Sequence, residues 1–213
     1  MRVTALRLQS RNKTRVNVYL DGEFAFGLTK IIAIRLKIGQ VLDEAAVAQL
    51  QEADAEEQAH ERALKLLSSR PRSESEIRQR LSGPEVPEAR VTAVITRLKS
   101  AGLVNDEAFA NFWVENRNTF RPRSKRALQM ELKRKGVTGA TLDQALTETD
   151  DAQAARQLAT QRAKRLSQYL WPEFRQKLGD YLLRRGFDYE TVATVVRQAW
   201  EATHATPAEA DLE

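Results

Sequence analysis

Few side chains in this 213-residue chain could carry covalent or metal chemistry. Its two histidines, His60 and His204, lie far apart in sequence, neither sits in an H-E-x-x-H setting, and there is no cysteine. That excludes thiolate ligation and disulfides and leaves no zinc-binding pattern. No G-x-x-x-x-G-K-[ST] loop occurs, and Gly136 and Gly139 are too isolated to cradle a phosphate. Glu131-Leu132-Lys133 has the E-x-K spacing of some nuclease sites. It falls inside a predicted helix with no acidic partner on a preceding strand, so a solvated helix face is the expected role. No catalytic residue, metal or cofactor is predicted, and the chain reads as a non-enzyme.

The basic residues are the stronger lead. Arg70 and Arg72 flank one proline corner, and Arg121 and Arg123 flank a second of the same sequence, Arg-Pro-Arg-Ser. Lys125, Arg126, Lys133, Arg134 and Lys135 add to the second cluster; Arg162, Lys164, Arg165, Arg184 and Arg185 form a third. Equivalent positions in repeated units would set these charges in a row. Such a row suits phosphate at low sequence specificity or an acidic protein groove. Basic and acidic blocks alternate: residues 43–59 hold six acids and no Lys or Arg, whereas residues 60–135 hold seventeen Lys/Arg against nine acids. The alternation fits contact between blocks or two different external partners.

What must position these residues is a threefold repeat. Pro71, Pro122 and Pro172 recur at steps of 51 and 50 residues. The apolar set Ile77, Leu81, Val86, Val91, Val94, Ile95 keeps step with Leu128, Leu132, Val137, Leu142, Ala145, Leu146 and with Leu178, Leu182, Phe187, Val192, Val195, Val196. A unit of that size cannot bury its apolar face alone and stacks on its neighbours. Each repeat predicts three helices: about 57–69, a helix capped by Ser73, and one from Val86-Pro87 to about Ser100; then 106–118, 124–135 and 138–148; then 152–170, 173–185 and 189–203. Ser73 with Glu76 forms a capping box. Gly136-Val137-Thr138 and Gly186-Phe187-Asp188 read as glycine stop, apolar contact and restart cap.

Before the repeats the pattern is β. Val3 to Leu8, Arg15 to Leu20 and Phe24 to Leu28 alternate, and Asp21-Gly22 signals a two-residue hairpin. Thr29 to Leu36 predicts a short helix stopped by Gly39. Asp43 caps an acidic helical stretch that is one long helix or two broken near Ala53-Asp54. The predicted fold is mainly α: an elongated tandem array of three three-helix repeats after a small β section. The boundaries are 1–42 for the β section, 43–56 for an acidic connector, 57–104, 105–150 and 151–204 for the repeats, and 205–213 for an acidic tail. Phe109 and Trp113, at i and i+4, are expected to pack between units, and Trp171 to plug a corner. No run of about 18 apolar residues and no signal peptide pattern occurs, so a cytoplasmic protein without a membrane partner is expected. A monomer without a small-molecule substrate fits the same reading.

These residues resemble the RecX family, bacterial regulators of the recombinase RecA. The likeness lies in Ala63 to Ser73 with Glu76, in Gly102-Leu103-Val104-Asn105-Asp106 with Phe109-Ala110, and in Arg121 to Ser124. It continues in Glu131 to Val137, in Leu183 to Phe187 and in the opening Arg15 to Phe24. The acidic connector and tail depart from the pattern. The resemblance implies a tandem helical array without enzymatic activity that lies along the RecA–DNA filament. There it would block extension and damp ATPase, strand-exchange and coprotease functions, with single- and double-stranded DNA as weak, auxiliary partners. Two other readings remain open from the residues: a direct DNA-binding regulator of helix-turn-helix type, and a nuclease using Glu131. Against the first, no helix combines Arg with the Asn/Gln set that reads bases.

Overall fold

The structure, a computed structural model, describes residues 1–84 and 86–204. The expected acidic tail lies outside them. The chain divides into two compact units, Met1–Val104 and Asn105–Glu213.

The first unit opens with β1 (Val3–Leu8), β2 (Arg15–Leu20) and β3 (Glu23–Thr29), an antiparallel sheet in that order. Asp21 (φ 51°) and Gly22 (φ 94°) make the tight β2–β3 turn, as the Asp-Gly pair predicts. Val16, Val18 and Leu20 alternate inward from β2 and pack with Val3, Leu28, Ile32, Leu36 and Leu42. The helix after the sheet, α1 (Lys30–Ala33), is shorter than expected. Leu36 folds back through an Ala33 carbonyl bond, and Gly39 at φ 88° turns the chain beside Val3.

Next comes α2 (Glu44–Leu67), a single unbroken helix capped by Asp43, whose carboxylate accepts from Ala46 N–H at 2.7 Å. Its first half packs Ala46, Val47, Leu50 and Ala53 on the sheet's core. Its second half gives Ala59 and Ala63 to the first repeat. Connector and first repeat helix are thus one element. Asp54 is buried because its carboxylate accepts from Arg15 Nη2 (3.1 Å), Gln58 Nε2 (2.7 Å) and Thr29 N–H. The acidic block also finds an internal partner. Helices α3 (Glu74–Leu81) and α4 (Glu88–Ser100) complete the repeat, and Arg90 and Arg97 of α4 pair with Glu52 and Glu57 at 2.7 and 2.6 Å. The Arg90 guanidinium holds the Glu52 carboxyl below its ordinary value, mainly through their hydrogen bond.

In the second unit, α5 (Asp106–Phe120), α6 (Lys125–Arg134) and α7 (Gly139–Ala145) form the second repeat. Phe109, Val114, Leu128, Leu132, Val137, Leu142 and Leu146 are its core. Phe109 lies in this core and Trp113 packs against it, with ring centroids 5.9 Å apart. The end of α6 closes as its sequence predicts. Gly136 has φ 81°, its N–H bonds the Lys133 carbonyl, and Val137 N–H reaches Leu132 at 3.1 Å. Thr138 takes the N-cap position of α7 but makes no side-chain cap bond.

The third repeat is α8 (Asp151–Ala163), α9 (Trp171–Leu183) and α10 (Tyr189–His204). Asp188 caps α10 through Thr191 N–H at 2.8 Å, which holds its carboxyl below the ordinary value. The first of these helices ends seven residues before the expected 170. Leu166 turns into the core on a bond from its N–H to the Ala163 carbonyl (2.8 Å), so tertiary packing overrides a helix-favouring sequence. Trp171 opens α9, meeting Trp200 edge-on at 5.5 Å.

Candidate functional site

The site is built where the second and third repeats meet inside the second unit. Ser124 N–H donates to the Arg185 carbonyl at 3.2 Å, and Arg185 Nη1 donates to the Pro122 carbonyl at 3.1 Å. Lys125 N–H donates to Asp151 Oδ1 at 2.6 Å. The turn after α9 therefore seats on the Arg-Pro-Arg-Ser corner, with Gly186 at the point of closest approach.

This seating brings four of the predicted arginines together. Arg121, Arg123, Arg184 and Arg185 line an open hollow of about 320 Å³ together with Tyr181. The Tyr181 ring lies 4.8 Å from the Arg185 guanidinium carbon and 5.3 Å from that of Arg162. Arg123 is partly neutralised by Glu131, 3.0 Å away. Among the described residues Arg121 and Arg184 have no acidic partner, and both are exposed. Four guanidiniums with no acid in the wall repel one another and invite a doubly or singly charged oxyanion. Tyr181 escaped the sequence reading, although its i+3 and i+4 spacing to Arg184 and Arg185 on one helix end could have flagged it.

The remaining predicted residues divide by environment. In the first unit Arg70 is bidentate to Glu76 (2.8 and 3.1 Å), and this partner raises its pKa. Arg72 donates to the Leu66 carbonyl at 2.9 Å; burial and then the Arg70 charge lower its pKa. Both brace their corner. Lys125, Arg126, Lys133, Arg134, Lys164 and Arg165 are exposed. Lys135 Nζ sits 4.1 Å over the Trp113 ring.

The contrast between the two corners has a physical cause. Glu76 aligns with Ala127, and Gly186 leaves no room for anything larger: a Cβ added there would lie 2.9 Å from the Ala127 Cβ. The residue that lets the third repeat dock is also the one that leaves Arg121 without a carboxylate.

Glu131 is not a solvated helix residue. Its Oε2 accepts from Trp113 Nε1 (2.9 Å) and Arg117 Nε (2.8 Å), and its Oε1 forms an ion pair with Arg123 at 3.0 Å. A carboxylate held by two hydrogen bonds and an ion pair is a brace. Glu131→Ala is expected to lower stability by about 2 kcal/mol, because it leaves two guanidiniums and an indole N–H without their acceptor. Urea unfolding measures this; unchanged stability would remove the bracing role.

Asp151 makes the junction pH-sensitive. Burial, opposed by the Lys125 N–H bond and reinforced by Asp188 and Asp150, raises its pKa. A raised carboxyl pKa means the folded state holds the proton more tightly. The group favours folding at low pH, and that contribution is lost as pH rises through the folded value. Asp151→Asn keeps an acceptor for Lys125 N–H without the charge. The variant is expected to match or exceed the wild-type melting temperature at pH 7, with the advantage shrinking below the ordinary carboxylate range. A variant less stable at pH 7 would contradict this.

Among the described residues no group of His, Cys, Asp or Glu is arranged to hold a metal, and no helix is long and apolar enough to cross a membrane. Fold and site together define a tandem three-helix-repeat protein with an oxyanion-type hollow at a repeat junction. Comparisons with known proteins make this specific. The RecX N-terminal domain matches residues 1–43, and the first, second and third RecX three-helix domains match 59–98, 105–146 and 148–196. The regulatory protein RecX of Levilactobacillus brevis is 34% identical over 191 residues, covering 87% of this chain and 71% of the relative. That of Streptomyces coelicolor is 35% identical over 151 residues, covering 70% and 80%. A crystal structure of regulatory protein RecX superposes with TM-score 0.68 at 28% identity, covering 91% of this chain and 98% of that one. The chain belongs to the RecX family of regulatory proteins.

Proposed function

We propose that this chain is a negative regulator of RecA. It binds the RecA–DNA filament and inhibits filament extension, ATPase, strand exchange and coprotease activity, acting as a cytoplasmic monomer without catalysis of its own. The observation that carries this reading is the ordered match of four RecX domains along the chain. The arginine hollow supports it by offering a seat for a backbone phosphate within the filament. DNA is the auxiliary partner, read through phosphate and not through base edges.

The test is ATP hydrolysis by a preformed RecA–single-stranded DNA filament titrated with this protein at substoichiometric amounts. Hydrolysis is expected to fall. Unaffected hydrolysis, with the protein folded and in excess, would overturn the proposal and move direct DNA-binding regulation to first place. The hollow's surplus of unpaired arginines favours that second reading enough to name it. A strong site preference on naked duplex would be its signature.

A further inference from the structure

A groove of about 690 Å³ runs between α9 and α10, on apolar walls from Trp171, Leu183, Tyr189, Val192 and Val196. Leu183 and Tyr189 are 42% and 75% exposed, more than core packing would leave. Comparison with the first repeat shows what keeps the equivalent face closed there. At a constant offset of 101 residues, the first repeat holds Glu74, Arg78, Glu88 and Thr92 where the third holds Arg175, Gly179, Tyr189 and Ala193. In the first repeat Arg78 bridges α3 to α4, bonding Glu74 at 3.0 Å, Thr92 at 3.2 Å, and Glu88. The third repeat has lost the whole polar bridge, and its groove stands open.

Gly179 is the telling residue. It lies inside a helix, where glycine costs about 1 kcal/mol relative to alanine. It is not among the glycines with positive φ. A Cβ there would meet only Val192 Cγ1, at an ordinary 3.8 Å. Neither backbone conformation nor internal packing accounts for glycine here, and the missing side chain leaves the α9 backbone open to close approach from the groove.

We infer that this groove docks an amphipathic helix of a protein partner, with apolar side chains one turn apart entering beside Gly179. Two rim arginines, Arg175 and Arg197, have no acidic partner among the described residues and face a single acid, Asp180. They select an occupant whose flanks are acidic. An apolar trough between two helices takes a third helix, not a phosphate backbone. The inference rests on the reading above, in that the occupant belongs to a subunit of the RecA filament; the arginine hollow would then hold phosphate while this groove holds protein.

Gly179→Ala and Gly179→Leu test it with a readout that a structural role would not give. Both place better helix formers in α9 and should leave the melting temperature unchanged or raised. Binding to a preformed RecA filament on single-stranded DNA, followed by co-sedimentation, should weaken about tenfold for Gly179→Leu and less for Gly179→Ala. Binding of a naked single-stranded oligonucleotide should stay within twofold of wild type. Filament affinity equal to wild type in the folded Gly179→Leu variant would overturn this inference alone. Failure of the wild-type protein to bind the filament would overturn both it and the proposed function.

Discussion

Replacing Gly186 by alanine is expected to lower the stability of the second unit by about 3 kcal/mol, a melting shift of about 12–15 °C. Two costs add. The residue holds φ +92°, and forcing an L side chain into left-handed backbone costs about 1–2 kcal/mol. The new Cβ would also lie 2.7 Å from Ser124 Oγ and 2.9 Å from the Ala127 Cβ, and such overpacking costs about 1–3 kcal/mol. Ser124 is buried and its Oγ caps α6 through Ala127 N–H, so it cannot swing away without losing that cap. Gly102→Ala is the internal reference. Gly102 has φ +68° with nothing within 4 Å of an added Cβ, so it carries the backbone cost alone. Equal destabilisation by the two variants would mean that the seat of the third repeat on the second is slack.

The same junction shows what a sequence can and cannot announce. Capping boxes, glycine stops and the Asp-Gly hairpin are written in four to six consecutive residues, and Ser73/Glu76, Gly136/Val137 and Asp21/Gly22 adopt the geometry their spacing predicts. The three-helix repeats were legible for a related reason: their apolar spacing recurs three times. Helix α8 ended early because Leu166 answers to a core assembled from α9 and α10, which local propensity does not register. The charges were the least legible. One arginine of a repeated corner is locked to Glu76, six residues on, while its equivalent Arg121 stands free. The difference turns on Ala127 and on a glycine about sixty residues further along. Lone sequence windows therefore overstate the basic row: they count Arg70, Arg72 and Arg123 as available when they are already engaged inside the fold, the first two by hydrogen bonds and Arg123 by its ion pair with Glu131.

That accounting fixes the most informative functional substitution. Changing Arg121 and Arg184 together to alanine is expected to weaken filament inhibition about 10–100-fold while leaving the melting temperature unchanged. Both guanidiniums are exposed, without acidic partners among the described residues, and both open onto the same hollow. Each exposed charge-assisted contact to an oxyanion contributes about 1 kcal/mol after solvent screening, and the two together give a loss of that size. If they meet phosphates, the double variant also lowers the slope of log affinity against log salt by about 1.4 on single-stranded DNA. Arg70→Ala makes the contrasting case. It releases Glu76 from a bidentate pair, so its effect falls on stability of the first repeat and not on the salt slope. A double variant that inhibits as well as wild type would remove the hollow from the binding surface. A loss of inhibition with an unchanged salt slope would keep the hollow but make its occupant a carboxylate of the partner, because releasing a discrete ion pair frees no condensed counterions from DNA.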